Sequence, residues 1–289
     1  MFKKAIIYTL FCLMLFCSCG DITTDKSTEI PDPSGELSIS IPKIGQADAI
    51  ILKTANNCVI IDCGEEDDGE EILENLNKCN ITSVDKLIIT HFDKDHVGSA
   101  AEIIKNIDIK QIITPNYVGS TKEYDKYIIA IDEKNIEPVV LTEYMTYTMD
   151  DVLFEIYPPK RAFYAEGDND FSLAVSITHG DNNFLFTGDA EEMRLYEILS
   201  QTQSEYDFLK VPHHGKYNKF TKSFIESINP KISVITCSNK NPAEDETVKI
   251  IEDISKEIFY TKNGDVKVVS NGKTINISQD LSDTIKKRK

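Results

Sequence analysis

The densest concentration of chemistry-bearing side chains in this sequence is Thr90-His91-Phe92-Asp93-Lys94-Asp95-His96-Val97-Gly98, with two imidazoles and two carboxylates in six positions. The segment follows the apolar run Leu87-Ile88-Ile89 and precedes a helical pattern in which Ala100, Ala101, Ile103 and Ile104 share a face. A loop at a strand end can aim several side chains at one centre, and mixed imidazole and carboxylate donors suit zinc, manganese or iron. Two of the five histidines flank two aspartates here, which incidental loop polarity explains poorly.

Three more donors end apolar runs. Asp189 closes Leu185-Phe186-Thr187-Gly188 and is followed by a helical pattern, so its carboxylate lies at the same kind of strand terminus and can bridge two ions. His213 and His214 end Leu209-Lys210-Val211-Pro212, and Gly215 lets the backbone turn sharply there. One of that pair is a candidate ligand. Asp62 ends Ile60-Ile61.

These residues must be carried by strands. Runs rich in Ile, Val and Leu predict strands at Glu36–Ile41, Ala49–Lys53, Cys58–Asp62, Lys86–Thr90, Val152–Tyr157, Ser172–Thr178, Asn183–Phe186, Asp207–Lys210 and Ile232–Ile235. Helical spacing predicts helices at Gly69–Cys79, where Ile72, Leu73, Leu76 and Cys79 share a face, and near Ala190–Ser200, Thr221–Ile228 and Thr247–Ile254. Alternation of this kind in two halves implies an α/β sandwich with helices outside. Ser172–Thr178 and Asn183–Phe186 read as a hairpin turning at Gly180-Asp181, which sets Ser172 opposite Asp189. His179 then falls at the far tip, roughly 20 Å from Asp189 at about 3.3 Å per residue, and is excluded from the site.

The first segment resembles the H-x-H-x-D-H signature of the metallo-β-lactamase superfamily, with Asp93 in place of the second histidine, a variant of the ComEC-type hydrolase domains. The resemblance runs from about residue 36 to 272. It includes Ile44-Gly45-Gln46-Ala47-Asp48-Ala49, Ile60-Ile61-Asp62-Cys63-Gly64, Asn169-Asp170-Phe171-Ser172, the Asp189 strand, Leu209-Lys210-Val211-Pro212-His213-His214-Gly215 and Tyr260-Thr261-Lys262-Asn263-Gly264. It implies a four-layer αββα sandwich and two divalent metal ions, zinc or manganese, held by His91, Asp93, Asp95, His96, Asp189 and His214. By the same analogy Asp95 and Asp189 lie at the reacting centre, His213 beside it serves the substrate or a proton transfer, Asp62 supports a ligand from behind, and Asn169 and Ser172 stand where many members place another histidine. Asn241-Pro242 replaces the His-Pro of many ComEC-like domains.

Two such ions would lower the pKa of a water between them, so the expected chemistry is hydrolysis; the resemblance implies phosphodiesters as substrates, with ester, thioester and lactam bonds open to the superfamily at large. Bulk charge bears on the substrate. The chain has a formal charge of −17, and its one dense basic run is Lys286-Lys287-Arg288-Lys289. Proteins that grip nucleic acid backbones use Lys and Arg clusters. A small or envelope-associated phosphoester is therefore expected over DNA, with a ComEC-like nuclease and a non-catalytic binding lipoprotein as alternatives. No protein partner is evident.

Lys3 and Lys4 followed by apolar residues to Phe16 and then Cys17-Ser18-Cys19 read as a bacterial signal peptide over 1–18, with Cys19 lipidated. Residues 19–35 read as a polar tether, 36–280 as one hydrolase domain and 281–289 as a basic tail. The expected location is outside the cytoplasm, anchored by lipid to the membrane. Cys58, Cys63, Cys79 and Cys237 have no metal-type spacing and read as free thiols.

Overall fold

The structure is a computed structural model that describes residues 35–281 apart from 166 and 204. The segments expected to form a leader, a lipidated Cys19, nearly all of the tether and nearly all of the basic tail lie outside the described residues. Among the described residues no helix is long and apolar enough to cross a membrane.

The first half contains β1 (Leu37–Ile41), β2 (Ile50–Lys53), β3 (Cys58–Ile61), α1 (Gly69–Lys78), β4 (Ser83–Val84), β5 (Lys86–Ile88), α2 (Lys94–Val97), α3 (Ala100–Asn106), β6 (Asp108–Ile109), β7 (Ile112–Pro115), α4 (Lys122–Lys134) and β8 (Val139–Leu141). The second contains β9 (Met145–Met149), β10 (Val152–Tyr157), β11 (Ala174–His179), β12 (Asn182–Phe186), α5 (Glu192–Gln201), β13 (Phe208–Lys210), α6 (Thr221–Ile228), β14 (Ile232–Ile235), α7 (Asp245–Ile254), β15 (Glu257–Tyr260), β16 (Val266–Ser270) and β17 (Ile275–Gln279). One sheet has the order β17-β16-β1-β2-β3-β5-β7-β8 and the other β15-β14-β13-β12-β11-β10-β9, while β4 and β6 form a small pair.

Three apolar cores make the layers. One lies between the sheets and joins Ile39, Val59 and Ile88 to Phe154, Val175 and Phe208. A second packs Ile60, Leu87 and Ile89 against Ile72, Ile103 and Tyr127 of the first-half helices. The third packs Leu185, Leu209 and Ile235 against Leu195, Phe224 and Ile251. The result is the expected αββα sandwich. It also explains why the central strands are continuous apolar runs: with helices on one face and the partner sheet on the other, both faces are dry.

In each sheet one half is antiparallel and the other parallel: β3, β5, β7 and β8 run together, as do β12 to β15. The loops at the carboxyl ends of β3, β5, β12, β13 and β14 carry the candidate site, the usual place for ligands in parallel α/β sheets. Most predicted elements appear within two residues of their expected bounds. The elements not foreseen are α2, α4 and the strands β4, β6 to β9 and β15 to β17. The hairpin register is as predicted, since Val175 pairs with Phe186 and His179 with Asn182, and this brings Ser172 opposite Asp189.

His179 closes the hairpin at its far tip, as expected. It is fully buried, and its Nδ1 lies 2.8 Å from Ser270 Oγ on β16, so it ties the hairpin to the other sheet. The four described cysteines are free, as expected, and burial pushes the Cys58 thiol up to about 12.

Candidate metal centre

Local backbone geometry at the strand ends is unusual. Asp62 has φ of +62°, and His213, His214 and Gly215 follow one another at +47°, +54° and +80°. Left-handed geometry in non-glycine residues costs about 1–3 kcal/mol each and persists where the surroundings over-determine it. Gly98 and Gly188 are needed for close approach. A Cβ at Gly98 would stand 2.3 Å from Lys94 O, and one at Gly188 would stand 2.8 Å from Thr90 Oγ1 and 2.9 Å from Ser172 Oγ.

The fold brings Asp95, His96, Asp189 and His214 together, with one ligand atom from each within 4.8 Å of the others. Asp189 is central: its Oδ1 is 3.2 Å from His96 Nε2 and its Oδ2 is 3.0 Å from His214 Nε2, which is also 3.5 Å from Asp95 Oδ2. His91 flanks the group, its ring 4.0 Å from that of His96, and its Nε2 is 3.9 Å from the half-exposed Asp93. The six expected ligands are thus neighbours, with His91 and Asp93 on one side and His214 on the other.

Each imidazole is held from behind by its Nδ1. His96 Nδ1 is 2.8 Å from Asp62 Oδ2, His214 Nδ1 is 2.9 Å from Thr236 Oγ1, and His91 Nδ1 is 3.1 Å from Thr90 Oγ1 and 3.4 Å from Ser172 Oγ. All three therefore present Nε2 inward. The Nε2 atoms of His91, His96 and His214 and Asp189 Oδ1 are buried without a hydrogen-bond partner. Orphaned polar atoms are costly in a dry interior, and four of them converging with Asp95 fit a divalent cation site.

Electrostatics agree. Burial pushes His91 well below its usual pKa, leaving a neutral imidazole suited to ligation. Burial also opposes charge on His96, yet Asp189 and Asp62 raise it well above its usual value, and Asp189 raises His214 against its own burial. Asp189 is held well below the carboxylate range despite burial, by His214 and His96.

Asp62 takes the supporting role expected of it: Oδ1 accepts from Thr90 N at 2.7 Å and Oδ2 from Thr90 Oγ1 at 2.7 Å, besides its contact to His96. His213 stands beside the centre, 3.8 Å from Asp189 Oδ2, with Nδ1 2.9 Å from Glu191 and Nε2 near Asn169 Nδ2 and Lys216 Nζ. That arrangement separates the pair: His214 faces the cluster, and His213 is engaged by Glu191, Asn169 and Lys216 beside it. Asn169 Nδ2 lies 3.4 Å from His213 Nε2, and Asp189 N donates to Ser172 Oγ at 3.2 Å.

Sequence reasoning missed Asp48, Lys210, Glu191 and Thr236. Lys210, fully buried, pairs with Asp48 and lies 3.7 Å from Asp189 Oδ1, and Asp48 Oδ1 is 3.7 Å from His214 Nδ1. Lys210 had a signal in the sequence, a lone charge inside an apolar strand. Thr236 and Glu191 had none. Asn241 takes part in a surface turn with Ser238.

A strand-end cluster of this composition between two helix-flanked sheets is a candidate metal centre of an αββα fold. The family model described as the metallo-beta-lactamase superfamily matches residues 42–238, and the chain belongs to that superfamily. Among curated proteins it is 27% identical over 175 residues to ComE operon protein 3 of Bacillus subtilis, covering 60% of this chain and 22% of that protein. It is 25% identical over 242 residues to Recombination protein 2 of Haemophilus influenzae, covering 82% and 28%. The chain thus spans about a quarter of the length of these ComEC-like relatives. The crystal structure of the metallo-beta-lactamase fold protein YhfI from Bacillus subtilis superposes with a TM-score of 0.51 at 10% identity, over 78% of this chain and 96% of that one, a likeness of fold.

Proposed function

We propose that this chain is a metal-dependent phosphodiesterase that acts on small phosphoesters outside the cytoplasm, using zinc or manganese. The observation that carries this reading is the convergence of three unpartnered Nε2 atoms and Asp189 Oδ1. His91, Asp93, Asp95, His96, Asp189 and His214 would hold a divalent pair, which when bound supplies Lewis acidity and hydroxide at neutral pH. The chain's own groups do the rest. Asp62, Thr90 and Thr236 orient the imidazoles, and Glu191 holds His213 Nδ1 so that Nε2 faces the approach. There Nε2 accepts from Asn169 Nδ2 at 3.4 Å and Lys216 Nζ at 2.8 Å, two donors that would turn to the non-reacting oxygens of a phosphodiester, and His213, once protonated at Nε2, would give that proton to the departing alkoxide.

A second reading, a DNA nuclease, is favoured by relatives named for recombination and for competence. The charge of −17 speaks against gripping a polyanion. Hydrolysis of bis-p-nitrophenyl phosphate, DNA and nitrocefin, each with zinc and with manganese, distinguishes the readings. The expected result is diester cleavage that needs metal and is abolished in Asp189→Ala and Asp95→Ala with the fold retained. Faster cleavage of DNA would favour the nuclease, and metal binding without any turnover would leave a binding lipoprotein.

A further inference from the structure

Behind the metal centre lies a fully buried guanidinium, Arg194 on α5. Its Nε donates to Ser172 O at 2.8 Å, Nη2 to Tyr157 O at 2.5 Å, and Nη1 to Gln201 Oε1 at 2.8 Å and Glu197 Oε2 at 3.4 Å. Glu197, one turn along, accepts from Tyr164 Oη at 2.7 Å and from Lys160 N and Arg161 Nε, each at 3.1 Å. Two side chains of one helix therefore hold the segment between Tyr157 and Ser172 at its entry, along its course and at its exit.

The exit matters most. With its carbonyl held by Arg194, Ser172 has its hydroxyl 3.4 Å from His91 Nδ1 and accepts from Asp189 N. Thr90 Oγ1 already donates to Asp62, so it meets His91 Nδ1 as an acceptor. Ser172 Oγ is the second acceptor there, and the pair keeps the proton on Nδ1 and the Nε2 lone pair free. Burying a guanidinium is expensive, and apolar residues of similar volume commonly serve stability as well or better. What such residues cannot supply is a fork of directed donors that joins two strand ends to one helix.

We infer that Arg194, braced by Glu197, is a positioning residue of the metal centre, acting through Ser172 on the orientation and tautomer of His91. This rests on reading the site as a metal centre, and it does not depend on the substrate.

A double-mutant cycle on zinc affinity tests it, with Arg194→Lys, Ser172→Ala and the combined variant in the full chain, measured by competition with a chromophoric chelator. Each single variant is expected to weaken zinc binding about tenfold, the lower end of the effect of removing a group that supports a ligand. The combined variant is expected to bind no more weakly than Ser172→Ala, because Arg194 acts through that serine. Multiplying effects, or wild-type affinity in Arg194→Lys, would overturn the inference. If Arg194→Lys does not fold, Glu197→Gln replaces it under the same criteria, since it keeps the shape and removes the charge that braces the guanidinium. A coupled cycle in a chain that cleaves no phosphodiester would sink the proposed function alone, and an uncoupled cycle in an active phosphodiesterase would sink the clamp alone.

Discussion

Asp62→Asn isolates what one buried carboxylate does for a ligand it does not replace. Asp62 is fully buried at φ +62°, and asparagine tolerates that geometry as well as aspartate, so the backbone is not perturbed. The wild-type carboxylate accepts three hydrogen bonds at 2.7, 2.7 and 2.8 Å. An asparagine that keeps its oxygen toward Thr90 N must turn its NH2 toward the Thr90 hydroxyl and His96 Nδ1. The hydroxyl can rotate and accept. The imidazole can accept only by moving its proton to Nε2, which then points at Asp189 from 3.2 Å and cannot ligate. Groups that orient a metal-binding histidine are worth about 10–100-fold in metal affinity, which is about 1.4–2.7 kcal/mol. The expected outcome is a folded variant with zinc affinity lowered by that factor, measured by chelator competition. Its thermal midpoint should gain less on adding zinc than wild type does. Asp62→Ala should fare worse, because three buried donors lose their acceptor at about 1–3 kcal/mol each. Wild-type zinc affinity in Asp62→Asn would refute the tautomer argument.

His214→Ala should lower metal content, whereas His213→Ala should keep it and lose about 10²-fold or more in kcat, the contribution typical of a positioned proton donor; metal analysis beside steady-state kinetics separates the two. His179→Ala should leave turnover unchanged but cost about 1–3 kcal/mol, since it removes a buried ring and the bond to Ser270 between the sheets. A thermal melt should drop by about 2–4 °C per kcal/mol. Burial holds His179 below the usual imidazole pKa, so the folded form stays neutral while the unfolded chain takes up a proton below about pH 6.5. The wild-type advantage over His179→Ala is therefore full above pH 6.5 and shrinks as pH falls below it, which denaturant titrations at several pH values would register. Cys19→Ser should release the protein from membranes without altering turnover of a small diester. Small diesters should outpace duplex DNA at low salt, and added salt should narrow the gap by screening repulsion; a gap that widened with salt would remove charge from the argument.

Much of the site was legible because its donors sit at the ends of apolar strands. Asp62, His91, Asp189 and the His213-His214 pair each close such a run, and strand ends are where a parallel sheet collects ligands, so position along the chain carried spatial meaning. Pairing register was equally readable at the Gly180-Asp181 turn: a two-residue period and a known turn fix which residues are opposed, and Ser172 was correctly set against Asp189. The short edge strand β8 was not readable, because three apolar residues carry no period, whereas β9 was missed although Met145-Thr146-Tyr147-Thr148-Met149 alternates apolar with polar. The helix α4 was missed although it runs for 13 residues. Its buried positions Tyr127, Ala130 and Ile131 lie among exposed Ile128 and Ile129, which blurs the apolar stripe.

What the sequence by itself determined was the metal chemistry, since the types and local spacing of donors, and the strands that end in them, are properties of neighbours along the chain. Only tertiary structure decided which member of His213-His214 faces the cluster, because both share one strand end and the choice depends on backbone torsion against β12 and β14. It also decided the roles of Asp48 with Lys210, Glu191 and Arg194, most of whose partners are remote in sequence, and it made His179, at the tip of its hairpin, a buried tie between sheets. Such contacts form only when two sheets close on one another. No local pattern records them, because the groups that satisfy a buried charge or imidazole come from whichever segment the fold brings alongside.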